Sequence, residues 1–193
     1  MDLNSALIGI KINFLVNKPT MKEYSSEEGD EFDRRSLESP WMKPEEYEAA
    51  HLGLPILCHD ILIMYNGGLL FVHRNVFPFK DILWPIGGRV LRGVGMVDSL
   101  RKKVKEECGL ELKNITELDL CRVFAKTDPF GHGKGTDTPA MRYFGEGFGE
   151  LKLNDLHQKP VIVRPEDLSI EFKERLHPYV RDFVNLCVPL IGK

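Results

Sequence analysis

Trp84-Pro85-Ile86-Gly87-Gly88-Arg89, then a glycine-broken loop, then a helical pattern closing on Lys105-Glu106-Glu107-Cys108-Gly109-Leu110: this stretch decides the fold. Val97, Leu100, Val104 and Cys108 recur at helical spacing and predict one apolar stripe. Gly109 is a natural helix stop, because a left-handed cap residue carries no penalty when it lacks a Cβ. On that helix Lys103 and Glu107 stand four apart on one flank, and Glu106 lies further round. A hard divalent ion takes oxygen ligands, so a carboxylate pair beside the carbonyl of a diglycine turn can hold one such ion. Lys103 puts a positive charge where a second ligand would stand on the same flank. Its spacing also allows an ion pair with Glu107, which leaves room for one firmly held metal at most.

Outward from this stretch, strands and helices alternate. Pro44 opens a helix through Glu45-Glu46-Tyr47-Glu48-Ala49-Ala50, which Pro55 ends. Ile56 to Tyr65 is rich in strand-forming residues, Asn66-Gly67-Gly68 is a hairpin turn, and Leu69 to His73 is the return strand. Leu118–Lys126 and Arg142–Leu153 are expected as strands around a glycine-rich loop from Thr127 to Asp137. A short extended run, Pro160–Val163, leads to a helical region opened by Pro165-Glu166-Asp167. Its apolar side is Leu176, Val180, Phe183, Val184 and Cys187. The interleaving implies an α/β sandwich around a mixed sheet.

The chain has 193 residues and a net charge of −3, which suits one soluble domain and no nucleic-acid partner. No apolar run reaches the ~20 residues of a membrane span. Ala6 to Val16 is apolar but broken by Lys11 and Asn13, so it reads as a strand and not as a signal peptide. Thr20 to Pro40 holds three basic and seven acidic residues with no periodicity, and is expected to be flexible or ordered by a partner. Residues 1–40 are thus an N-terminal extension, partly flexible, before a domain at 41–193. Cys58, Cys108, Cys121 and Cys187 are widely spaced among apolar neighbours and are expected as buried free thiols, in keeping with a cytoplasmic setting.

The ordered set Gly88, Val104, Glu106, Glu107, Gly109 and Leu110 resembles the Nudix box, which implies a Nudix-type α/β/α sandwich. The box departs from the pattern at Val94, Lys102 and Lys103, which stand in the places of a glutamate, an arginine and a second glutamate. Pro44 to Leu168 resembles one branch of the superfamily, GDP-mannose mannosyl hydrolase, which cleaves a nucleotide sugar at the sugar carbon. The resemblance is carried by Glu46-Tyr47, Leu54-Pro55, Asp60, His73-Arg74, Trp84-Pro85, Gly87-Gly88-Arg89-Val90, Glu107, Gly135-Thr136-Asp137, Tyr143, Gly147-Phe148 and His157. It implies an Mg²⁺-dependent hydrolase of a nucleotide sugar, dimeric, with His157 as general base and Asp60 and Arg74 beside it. Mg²⁺ is expected on Glu107, Glu106 and the Gly88 carbonyl, and the leaving diphosphate on Arg89, Lys102 and Tyr143. Leu156 replaces a metal-binding glutamine of that branch. Asp60, inside an apolar strand, needs a partner, and Arg74 is the obvious candidate. Two rival functions remain: a pyrophosphatase attacking phosphorus of a nucleoside diphosphate derivative, and an inactive nucleotide-binding module, which the lost box residues favour.

Overall fold

The computed structural model describes residues 37–39 and 42–192. The expectations for residues 1–16, and most of that for Thr20 to Pro40, lie outside them. In chain order the elements are α1 (Pro44–Gly53), β1 (Cys58–Tyr65), β2 (Gly68–Arg74), β3 (Leu83–Trp84), β4 (Ile86–Arg89), α2 (Met96–Cys108), β5 (Glu111–Ala125), β6 (Thr136–Phe148), β7 (His157–Val163), α3 (Ile170–Glu174) and α4 (Pro178–Cys187). Seven strands form one mixed sheet in the order β3-β2-β1-β6-β5, with β4 paired to β1 and β7 to β2. Among the described residues, no helix is long and apolar enough to cross a membrane.

β1 is the spine. His59 to Ile63 are all buried, because both faces of the strand are covered. Alternation sends Ile61 and Ile63 into a cluster with Leu100, Val104 and Cys108 of α2. Leu62 goes to the other face, with Val180, Phe183 and Val184 of α4. The result is the expected α/β/α sandwich.

Asn66 and Gly67 both have positive φ, 48° and 83°, the geometry a tight hairpin with right-handed strand twist requires. The β1–β2 ladder ends at Ile63↔Leu70. Beyond it the two strands take different neighbours: β1 pairs with β4 from Cys58↔Arg89 to Ile61↔Ile86, and β2 pairs with β3 at Val72↔Trp84. This splayed end of the sheet lines the cavity described below.

Gly87 and Gly88 are therefore strand residues opposite Asp60 and His59, and the expected diglycine turn is corrected. The reason for glycine is close approach: a Cβ on Gly87 would lie 2.2 Å from Asp60 Oδ1 and 2.3 Å from the His59 carbonyl oxygen. β6 runs from Thr136 to Phe148, so it both starts and ends earlier than the expected Arg142–Leu153. Its Gly147 meets a close neighbour: a Cβ there would lie 2.6 Å from Ile63 Cγ2. β5 and β6 form one long antiparallel ribbon from Glu111↔Phe148 to Ala125↔Thr136.

α2 ends as expected, with Gly109 at φ 73° donating its N–H to the Lys105 carbonyl. Its stripe differs at one position. Val97 is 39% exposed, and Met96 is the buried residue of that first turn. Of the four thiols, Cys108 and Cys187 are buried and Cys58 and Cys121 are half-buried, and none of them is in a disulfide.

Candidate active site

A cavity of about 370 Å³ lies at the splayed end of the sheet, a size typical of small-molecule sites. Asp60 and Cys58 from β1, Arg74 from β2, Gly87 to Arg89 from β4, Lys103 and Glu107 from α2, and His157 from β7 all line it. Aromatic side chains Phe79 and Trp84, stacked at 4.5 Å, complete one wall, and Tyr47 and His51 of α1 another.

His157 opens β7 and is buried. Its register partner is Arg74. Its Nε2 stands 2.9 Å from Oε2 of Glu107, itself buried. A carboxylate only accepts, so Nε2 donates, and in the neutral imidazole the lone pair then falls on Nδ1. That Nδ1 is buried and has no hydrogen-bond partner among the described residues. The constellation is a carboxylate-oriented imidazole with one basic nitrogen in reserve, the arrangement that orients a general base.

Asp60 takes a partner the sequence did not indicate. The Tyr179 hydroxyl, from α4, donates to Asp60 Oδ2 at 2.5 Å. Arg74 instead donates through Nε to the Pro78 carbonyl at 2.9 Å, and its charge acts on Asp60 across the cavity. Burial pushes the Asp60 carboxyl up to about 6, against the opposing pull of the Tyr179 hydrogen bond and the Arg74 charge. Tyr179 is held between Trp84, stacked at 5.0 Å, and Arg142, whose guanidinium is 5.5 Å from its ring. Arg142 in turn donates twice to Asp119, at 2.7 and 2.6 Å.

The box carboxylates part company. The Glu107 side chain is 4% exposed and the Glu106 side chain 51%. Glu106 faces a second, adjoining cavity of about 500 Å³, which Lys102 and Val94 also line. Lys102 pairs loosely with Glu38 at 3.9 Å and does not line the first cavity. Arg89 borders both cavities, with its guanidinium 4.6 Å over the Tyr47 ring. Tyr143 sits in the α2-side core at 1% exposure and does not line the cavity. Its hydroxyl has no hydrogen-bond partner among the described residues, and burial pushes it up to about 12.

The expected magnesium ion does not fit this donor set. Among the described residues no three His, Cys, Asp or Glu side chains come together as a metal site. The cation between the box carboxylates is Lys103, its Nζ 3.7 Å from Glu106 Oε2 and 3.9 Å from Glu107 Oε1. Leu156, apolar, also lines the cavity and offers no side-chain ligand.

The glycine-rich loop is a built structure. Asp128 Oδ1 accepts from the backbone N–H groups of Phe130, Gly131 and His132. His132 meets His51 at 3.1 Å, and Phe130 packs edge-on against Tyr47. The loop is thereby docked on α1, and its ends Pro129 and Thr136 reach the cavity.

No family model matches the chain. Over 147 residues it is 24% identical to the low-salt glycan biosynthesis protein Agl8 of Haloferax volcanii, a match covering 73% of this chain and 87% of that protein. Among solved structures, a MutT Nudix hydrolase from Burkholderia pseudomallei superposes with a TM-score of 0.56 at 20% identity, over 69% of this chain and 98% of the other. The Nudix domain of Shewanella oneidensis NrtR, in complex with ADP ribose, superposes with a TM-score of 0.50 at 16% identity, over 75% and 97% of the two chains. The chain thus has the Nudix fold.

Proposed function

We propose that this chain hydrolyses a nucleotide sugar of the GDP-mannose kind at the sugar carbon, releasing free sugar and nucleoside diphosphate. The observation that carries the reading is the buried His157–Glu107 pair on the cavity wall, with Nδ1 of the imidazole unpartnered. Water adds its oxygen to the anomeric carbon, and His157 takes its proton. The bond from that carbon to the diphosphate oxygen breaks, and the electron pair leaves with the diphosphate. Arg74 and Arg89 line the same cavity and supply positive charge for the leaving group. Asp60, anchored by Tyr179, faces the substrate as an acceptor for a sugar hydroxyl when ionised, or as a donor below about pH 6. Lys102 and Glu106 border the neighbouring cavity and have no part in this scheme, and Tyr143 supports the wall from within the core.

The lost box residues are consistent with carbon attack, because that route needs no cluster of metal-bound carboxylates to make a nucleophile. The similarity to a glycan biosynthesis protein supports a sugar-bearing ligand.

Product analysis on a panel of nucleotide sugars tests the reading. Free sugar with nucleoside diphosphate is the expected pair. Sugar 1-phosphate with nucleoside monophosphate would mean attack at phosphorus. Binding by calorimetry without any turnover would leave a nucleotide-binding module.

A further inference from the structure

Lys103 is a buried cation on the wall of the cavity. Its stem and the Glu107 carboxylate run together beside Gly88: a Cβ placed there would lie 3.7 Å from Lys103 Cδ and Cε and 3.6 Å from Glu107 Oε1. The Nζ stands between the two box carboxylates at 3.7 and 3.9 Å, distances of charge contact longer than a hydrogen bond. A divalent ion brought to Gly88 and Glu107 would therefore meet a positive charge already in place, at a range of a few ångströms where like charges repel strongly. The cavity lining also carries Arg74 and Arg89 against the carboxyl groups Asp60 and Glu107, so its cations outnumber its anions.

We infer that the Lys103 ammonium is the resident cation of this site, and that it takes the diphosphate of the ligand without any divalent ion. This rests on the reading of the cavity as a nucleoside diphosphate site. An ammonium is a compact point charge with three donors, well suited to phosphate oxygens. It is fixed to the scaffold by α2, so its position costs no recruitment from solution. Glu107 then has one task, to orient His157, and is not divided between an imidazole and a metal. Leu156 is consistent with the same economy, since no metal shell needs completing.

The test is calorimetric titration of the whole protein with GDP, in EDTA and again in Mg²⁺. The expected result is binding in EDTA, with a Kd within about two-fold of that in Mg²⁺. Lys103→Met is expected to weaken that binding at least ten-fold, and Lys103→Arg to retain most of it. Lys103→Glu, which restores a carboxylate to the flank, is expected to gain a bound Mn²⁺ by electron paramagnetic resonance where the natural chain leaves Mn²⁺ free. Absence of GDP binding in EDTA overturns the inference, whether or not Mg²⁺ restores it. So does a natural chain that holds Mn²⁺ tightly, and so does a folded Lys103→Met protein with unchanged affinity. Should Lys103→Met fail to fold, the metal dependence of the natural chain decides alone. Turnover that needs Mg²⁺ would sink this inference and leave the proposed reaction standing. Metal-free binding that Lys103→Met abolishes, with no turnover of any nucleotide sugar, would do the reverse.

Discussion

Two adjoining hollows divide the box carboxylates between them. The larger, about 500 Å³, has Glu106, Lys102 and Val94 on its walls. The smaller, about 370 Å³, has Glu107, Lys103, His157, Asp60 and Arg74. In the larger, the Lys102–Glu38 pair is half exposed on both sides and separated by 3.9 Å. In the smaller, His157 and Glu107 are buried and hydrogen-bonded at 2.9 Å. The difference teaches that chemistry follows desolvation and partner geometry, not volume. Charges in a wet hollow are screened, whereas buried ones are held in one arrangement by whatever satisfies them.

The comparison breaks or holds first on His157. His157→Ala is expected to lower kcat by about 10²–10⁴-fold in the product assay, the usual worth of a positioned general base. An unaffected rate would remove the smaller cavity's claim. The two glutamates give the next contrast. Glu107→Ala removes the buried carboxylate that Lys103 and His157 both face, and urea unfolding should show a loss of about 3–5 kcal/mol. Glu106→Ala should lose no more than about 1 kcal/mol. Equal losses would erase the distinction.

Asp60→Asn should move stability the other way. Burial raises this carboxyl from its ordinary 3.8 to about 6, so the folded state holds its proton more tightly than the unfolded chain does. The stability it contributes is present below about pH 4 and lost as pH rises through about 6. Removing the charge is thus expected to stabilise the protein by up to roughly 3 kcal/mol at pH 8, and by nothing at pH 4. Melting temperatures at the two pH values check this, and activity should fall as stability rises. The smallest effect belongs to the larger hollow: Lys102→Ala should change stability by about 0–1 kcal/mol and leave nucleotide affinity unaltered.

Much of this contrast is local in origin, and that part was legible. The end of α2 at Gly109, the Asn66-Gly67 hairpin and the placing of Glu107 and Glu106 on different sides of the helix follow from period and turn chemistry alone. What escaped was set by approach between distant segments. Gly87 reads as a turn residue until Asp60 Oδ1 is found where its Cβ would be. The ends of β5 and β6 depend on their pairing with each other, which compensates for the glycines within β6. Tyr179 carries no local mark of function, since its role exists only because α4 lies against β1. Arg74 was the plausible partner for Asp60 by charge, yet the Pro78 carbonyl lies nearer its Nε. Tyr143 matched a pattern in sequence, but its register opposite Ile61 in the central pair of strands places it in the core.

The bond between Asp60 and Tyr179 joins residues 119 positions apart. A polypeptide is made from its amino end, so the carboxyl group exists long before the hydroxyl that anchors it. A chain halted after β7 would already carry the box, Lys103 and the His157–Glu107 pair, yet Asp60 would have no tether and the α4 face of β1 no cover. Helix α4 thus acts on the cavity at one remove: only once it lies against β1 does Asp60, which lines the cavity, have the hydroxyl that anchors it.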